Sequence, residues 1–138
     1  MIIGIVVSVG VMRRAQAAET PRQIAIRAIE DVWNKGDFEA GRQILAPQTT
    51  LHYRGQAIVM TPDAALRTVQ NWRTAFPDFH FQIEDVIVDG DKVALRVPFT
   101  GTHRARFMGA EPTDLASSAV PRTAIGVFQA GATSARTL

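Results

Sequence analysis

The 138-residue chain is long enough for one domain with a real core, and its 46% hydrophobic content excludes a disordered or purely solvating polypeptide. It has no cysteine, which excludes disulfides, thiolate nucleophiles and cysteine-ligated zinc. The net charge of +2 comes from scattered arginines with no Lys/Arg block and no interleaved aromatics, so nucleic acid is not an expected partner.

Ile2 to Met12 is an unbroken run of apolar and small residues, too short to span a bilayer. Ala15-Gln16-Ala17 has the form of a signal-peptidase site, yet no positive charge precedes the apolar run and Arg13-Arg14 follows it, both wrong for a secretory signal. The other reading is that Met12 is the true start and the preceding residues are upstream read-through. Residues 1–19 are accordingly set apart as an extension from a domain over 20–138. The expected location is the cytoplasm, or outside it if residues 1–17 direct export, and no membrane partner is expected.

Thr20-Pro21 is a helix start, an N-cap residue followed by proline at the first helical position. Ala25, Ala28, Ile29, Val32 and Trp33 recur at helical spacing, and the helix should end at Asn34-Lys35-Gly36. Asp37 caps a second helix over Phe38 to Leu45, and Thr49 to Tyr53 reads as a short strand. Thr61-Pro62-Asp63 repeats the capped start, Leu66, Val69, Trp72 and Phe76 form the third helix's apolar stripe, and Pro77 stops it.

Phe79 to Val88 reads as a strand, with Asp89-Gly90-Asp91 as the turn into a long strand over Asp91 to Phe107. There Val93, Leu95, Val97, Phe99, Gly101, His103, Ala105 and Phe107 alternate with Lys92, Arg96, Thr100, Thr102, Arg104 and Arg106, which predicts one dry and one wet face. A three-residue loop would pair Ile87 with Val93, Ile83 with Val97 and Phe81 with Phe99, apolar against apolar. It would also put Asp85 on the dry face unless a bulge turns it to solvent, the favoured reading. Further strands are expected over Leu115 to Val120, Thr123 to Gln129 and Ala132 to Leu138, the last short of typical reach. The plan is α+β: about three N-terminal helices packed on a curved, antiparallel sheet that encloses an apolar pocket.

Trp33-Asn34-Lys35-Gly36-Asp37 resembles the loop between the first two helices of the nuclear transport factor 2-like superfamily. Ala75-Phe76-Pro77-Asp78, Asp89-Gly90-Asp91-Lys92-Val93, Gly101-Thr102-His103, Phe107-Met108-Gly109 and Pro112-Thr113 resemble its SnoaL-like polyketide cyclase and ester cyclase branch. The resemblance implies a cone-shaped α+β barrel, a homodimer, no metal or organic cofactor, and an apolar small-molecule ligand or substrate. It also implies ring closure by an intramolecular aldol step, with a pocket carboxylate as acid/base and with histidines and aromatics positioning the substrate. Burial raises such a carboxyl's pKa, so that it exchanges protons near neutral pH.

The chain departs from this pattern at its end. The branch carries a glutamate, a tryptophan and then an aspartate where this chain has Ala132-Thr133-Ser134-Ala135-Arg136-Thr137-Leu138, without a carboxylate. The branch's glycine after Pro-Thr is Asp114 here. A truncated or frameshifted last strand and a non-catalytic descendant are both open readings. The candidate catalytic residues are His103 and His52, and the candidate substrate-binding residues are Tyr53, Trp72, Phe107 and Met108. His80 falls on the wet face, Glu111 and Asp114 read as loop residues, and three histidines in three separate segments are a poor zinc signal. Two functions follow, a cofactor-independent cyclase or isomerase working on a carbonyl compound, or a ligand-binding or dimerisation module that has lost the chemistry.

Overall fold

The computed structural model describes residues 6–9, 19–53, 56–118 and 124–130, with 6–9, 51–53, 117–118 and 124–130 described by their backbone alone. Helix α1 (Pro21–Arg27) opens on a capping box: the Thr20 hydroxyl accepts from the Gln23 N–H at 3.2 Å, and the Gln23 side-chain Oε1 accepts from the Thr20 N–H at 2.8 Å. It runs on into π-helical turns over Ala28–Asn34, which bury Ala28, Ile29, Val32 and Trp33. Helix α2 (Phe38–Ile44) starts where the Asp37 carboxylate accepts the Ala40 N–H, and α3 (Pro62–Ala75) where the Thr61 hydroxyl accepts the Ala64 N–H. All three starts are where the capping residues predict them, because a cap is satisfied within one turn of chain.

The strands are β1 (Val6–Val9), β2 (Thr49–Tyr53), β3 (Gln56–Met60), β4 (His80–Phe81), β5 (Asp85–Asp89), β6 (Lys92–Val97), β7 (Phe99–Thr102), β8 (Ala116–Ser118) and β9 (Ala124–Ala130). They form sheets ordered β1-β9-β6-β5, β2-β3 and β4-β7-β8, antiparallel except for β1 on β9, and among the described residues the sheets do not close on one another. The architecture is mixed α+β, as the element order predicts. Two strands are additions to that prediction. Val6–Val9, inside the N-terminal extension, pairs with β9, and Gln56–Met60 pairs along the length of β2. The strand expected in 132–138 lies outside the described residues.

The long strand expected over Asp91 to Phe107 is divided. Pro98 has no N–H for the ladder and separates β6 from β7, and the chain leaves the ladder after Thr102. The alternation nevertheless survives in burial. Val93, Leu95, Val97 and Gly101 are buried while Lys92, Arg96, Thr100, Arg104 and Arg106 are exposed.

The register differs from the expected one over half its length. The turn has two residues, Gly90 and Asp91, so Val88 rather than Ile87 faces Val93, Val86 faces Leu95, and Ile83 does not pair with Val97. The Phe81–Phe99 pair is as expected. The two halves are reconciled by one extra residue at Glu84–Asp85. The Glu84 N–H bonds the Arg96 carbonyl at 2.9 Å, and Asp85 also stands opposite Arg96. The Arg96 guanidinium takes both carboxylates, Glu84 at 2.7 Å and Asp85 at 2.9 Å. Asp85 is therefore on the solvent side, so the bulge is the correct alternative.

Helices and β6 share one core. Ile24, Ile29, Val32 and Trp33 meet Leu66 and Val69 of α3, and Val93 and Leu95 lie beneath at 0% and 1% exposure. Among the described residues, no helix is long and apolar enough to cross a membrane.

Candidate functional site

The Trp33–Asp37 motif is a structural joint. The Trp33 ring packs against Phe81 and Phe79 with centroids 5.4 and 5.8 Å apart. The Asn34 side chain donates to the Phe81 carbonyl (2.8 Å) and accepts its N–H (2.7 Å), tying helix to β4. Lys35 pairs with Asp31, Gly36 takes φ +73, and Asp37 caps α2. Arg73 of α3 donates to the carbonyls of Trp33 (2.9 Å) and Asn34 (2.6 Å), which the helix end leaves open. Lys35 holds the Asp31 carboxyl below its ordinary range by hydrogen bond and charge.

The second joint builds the site. At the end of α3, the Asp78 carboxylate accepts the Thr102 N–H at 2.6 Å and its hydroxyl at 2.7 Å. Those bonds, the backbone one first, hold the Asp78 carboxyl below the usual range. The Ala75 carbonyl accepts the Arg104 N–H at 2.8 Å. His103 lies between these two anchors. Its ring stacks on Phe76, with centroids 5.2 Å apart and planes 23° apart. Gly101 makes room for the arrangement, since a Cβ there would stand 3.2 Å from the Phe76 Cβ.

The loop after Met108 clasps His103 from the other side. The Asp114 N–H donates to the His103 carbonyl at 3.0 Å, and the His103 N–H donates to the Leu115 carbonyl at 3.3 Å. Asp114 has φ +52, a conformation that glycine adopts freely and aspartate tolerates, so the departure from the branch's glycine keeps the turn. It also supplies an ion pair to Arg104 at 3.2 Å. The Thr113 hydroxyl comes within 3.5 Å of His103 Nδ1. Nε2 is enclosed and has no hydrogen-bond partner among the described residues.

Phe76 links the histidine to an aromatic wall. Trp72 stacks on Phe76 at 5.8 Å and meets Phe107 edge-on at 4.6 Å, with Phe79 and Phe99 at 5.8 and 5.9 Å. Phe107 and Ala110 form a backbone bridge around Met108 and Gly109, and Met108 stands 71% exposed at the tip. Three of the expected residues, His103, Trp72 and Phe107, are thus brought together through Phe76, with Met108 beside them.

His52 and Tyr53 lie in β2 opposite Ala57 and Gln56, and their side chains are outside the described residues. His80 is exposed, as expected, and Glu111 is an exposed loop residue paired with Arg106. Among the described residues, no three metal-ligating side chains are grouped closely enough to hold an ion. A cleft of about 320 Å³ lies elsewhere, lined by Phe38, Arg42, Asp63, Leu66, Arg67 and Gln70. It includes none of the candidate catalytic or substrate-binding residues and is open to solvent, so the imidazole of His103, with its enclosed Nε2, is the stronger focus for chemistry. Phe76 and Thr113 were not assigned to the site from sequence. Both stand in motifs quoted above, but their contacts with His103 are made across turns.

The fold and this histidine-aromatic wall define an NTF2-like α+β protein. The SnoaL-like polyketide cyclase profile matches residues 23–119, and the chain belongs to that family. Among solved structures it is similar to a protein from Jannaschia sp. CCS1 assigned as a SnoaL-like polyketide cyclase, with 18% identity over 85% of this chain and 90% of that one, at a TM-score of 0.65. It is also similar to IdmH of Streptomyces antibioticus, assigned as a polyketide cyclase, with 25% identity, coverage of 80% and 90%, and a TM-score of 0.58. AclR of Streptomyces galilaeus, assigned as a hydroxylase, matches at 20% identity over 78% and 85% with a TM-score of 0.58. One fold thus carries different assigned reactions, and the reaction must be argued from the site. No curated protein matches the sequence.

Proposed function

We propose that the protein is a cofactor-independent cyclase or isomerase that acts on an apolar carbonyl compound by acid/base chemistry, with His103 as the proton-handling group. The observation that carries this reading is the state of the imidazole. It is backed by an aromatic ring, held by its backbone on both sides, and left with an enclosed ring nitrogen that no described residue satisfies. An enclosed polar atom without a protein partner calls for a water or a ligand group to supply one. Trp72 and Phe107, packed edge-on, offer apolar surface beside it, and His52 and Tyr53 of β2 are proposed as further contributors. The family membership and the likeness to IdmH support the same reading.

The test is α-proton exchange. In D₂O, 2-tetralone loses its α-proton NMR signal as it enolises, which reports acid/base catalysis without knowledge of the natural product. Exchange above the buffer rate, lost in His103→Ala while the circular dichroism spectrum is kept, is expected. Unchanged exchange in that variant removes the mechanism. The second reading, a binding module without chemistry, rests on the carboxylate-free stretch Ala132–Leu138. It predicts saturable 2-tetralone binding with exchange at the buffer rate. Self-association as a homodimer and a cytoplasmic location belong to the same proposal; mass determination of the intact protein from its host decides whether residues 1–17 are removed.

A further inference from the structure

Helices α2 and α3 approach closely at Gly41, where a Cβ would stand 2.5 Å from Leu66 Cδ2. Leu66 also lines the cleft of about 320 Å³ between these helices. The α2 side supplies Phe38 and Arg42, one turn apart, and the α3 side supplies Asp63, Leu66, Arg67 and Gln70, which helical spacing puts on one face. Trp72 stands half a turn around α3 from Asp63, so the aromatic wall beside His103 belongs to a different face. The floor of the cleft is apolar, with Leu66 buried and Phe38 half-buried, and the rim of Arg42, Asp63, Arg67 and Gln70 is exposed.

The rim holds two guanidiniums and one carboxylate. Arg42 and Asp63 come only to 3.7 Å, longer than a hydrogen bond, and Arg67 forms no ion pair with any described residue. The Gln70 side-chain amide, likewise without a partner among the described residues, adds two N–H donors. The cleft therefore carries one positive charge in excess over an apolar floor. A dianion would leave net negative charge beside Asp63, and a neutral apolar molecule would cover the guanidiniums without giving them an acceptor. A single carboxylate balances the charge, and its planar pair of oxygens matches the guanidinium fork.

We propose that this cleft is a second binding site, for a small monoanionic carboxylate with an aromatic or alicyclic body. Arg67 and Arg42 hold the carboxylate, Gln70 donates to it, and the ring lies on Phe38 and Leu66. The site is independent of the acid/base chemistry assigned to His103, since none of its residues touches that imidazole.

The experiment is a titration of the ¹⁵N-labelled full chain with 2-naphthoate at low ionic strength, followed in ¹H–¹⁵N correlation spectra. Saturable shifts are expected in the amides of Phe38–Ile44 and of residues 63–70, with a midpoint of about 1 mM at the efficiency usual for drug-sized ligands. 2-Naphthamide, which has the same ring and no charge, should bind about fivefold more weakly. Arg67→Ala should weaken 2-naphthoate about threefold or more, and Arg42→Ala combined with Arg67→Ala should abolish saturation, with the circular dichroism spectrum kept. His103→Ala should leave the shifts in place. No saturable shift at the cleft, shifts confined to the aromatic wall, or equal affinity for the acid and the amide overturns the proposal, and the parent protein alone supplies all three results. Equal affinity in the parent and Arg67→Ala overturns it too. Tighter binding of 2-naphthyl phosphate than of 2-naphthoate overturns the assignment to a monoanion. Cleft binding together with 2-tetralone exchange at the buffer rate removes the proposed function and leaves this site standing.

Discussion

Asp78 and Thr102 sit at the surface, yet they determine where His103 lies. The carboxylate takes both the backbone N–H and the hydroxyl of Thr102, one residue before the histidine, so the end of α3 and the end of β7 move together. Its folded pKa is below the ordinary value, which makes the unfolded chain the better proton binder over the interval between the two. The contribution is therefore complete above the ordinary carboxylate range and is lost as pH falls through the lowered folded value. Asp78→Ala should lower the melting temperature at neutral pH and flatten its decline on acidification over that window. Equal acid sensitivity in parent and variant, followed by circular dichroism, would show that the bond contributes nothing. At this scale His103 was legible from sequence because a lone ionisable group stands out on an alternating apolar face. Thr113 was not, because its approach depends on left-handed residues at Met108 and Asp114 that fold the loop back over ten positions.

Helix ends and turns show how far local chemistry reaches. Gly36 and Gly90 both have positive φ, +73 and +59, but their surroundings differ. A Cβ at Gly36 would lie 2.9 Å from Arg73 Nε, in the side chain that satisfies the Trp33 and Asn34 carbonyls, whereas a Cβ at Gly90 meets nothing within 4 Å. Alanine at either site carries a left-handed penalty of about 1–2 kcal/mol. Gly36→Ala should lose roughly a further 1 kcal/mol through the displaced Arg73 bonds, measured as a lower urea midpoint than Gly90→Ala at equal m-value. Equal midpoints would mean that Arg73 re-forms its bonds elsewhere. The helix starts at Thr20, Asp37 and Thr61 were readable because each cap closes within one turn. The register of β5 on β6 was not, because it follows from a two-residue turn at Gly90-Asp91 and an extra residue at Glu84–Asp85 opposite Arg96. The Gln56–Met60 strand was missed for a related reason: its exposed run Gln-Ala-Ile-Val has no alternation, and its order comes from pairing with β2.

At the scale of the molecule, the core rests on β6 beneath the first helix and α3. Leu95→Ala removes a side chain that is 1% exposed and should destabilise by about 2–5 kcal/mol, in a single cooperative urea transition if the described core is one unit. A loss under about 1 kcal/mol would mean that the site collapses around the gap. Ile87 is the contrasting case. It points away from that core at 67% exposure, so Ile87→Lys should change monomer stability by no more than about 0.5 kcal/mol. If β5 lies at a homodimer interface, the same change should shift sedimentation from dimer to monomer, whereas an unaltered sedimentation coefficient places any interface elsewhere.

By itself the sequence determined the capped helices, the α+β class, the buried alternation from Val93 to Gly101 and the singular position of His103, since each is written in spacings shorter than one element. The break between β6 and β7 at Pro98 was open to the sequence as well, whereas the tertiary structure alone decided that Arg96 receives both Glu84 and Asp85 and that Phe76 and Thr113 bracket the imidazole. Those outcomes depend on which distant groups satisfy a backbone or a charge, and spacing along the chain does not encode that choice.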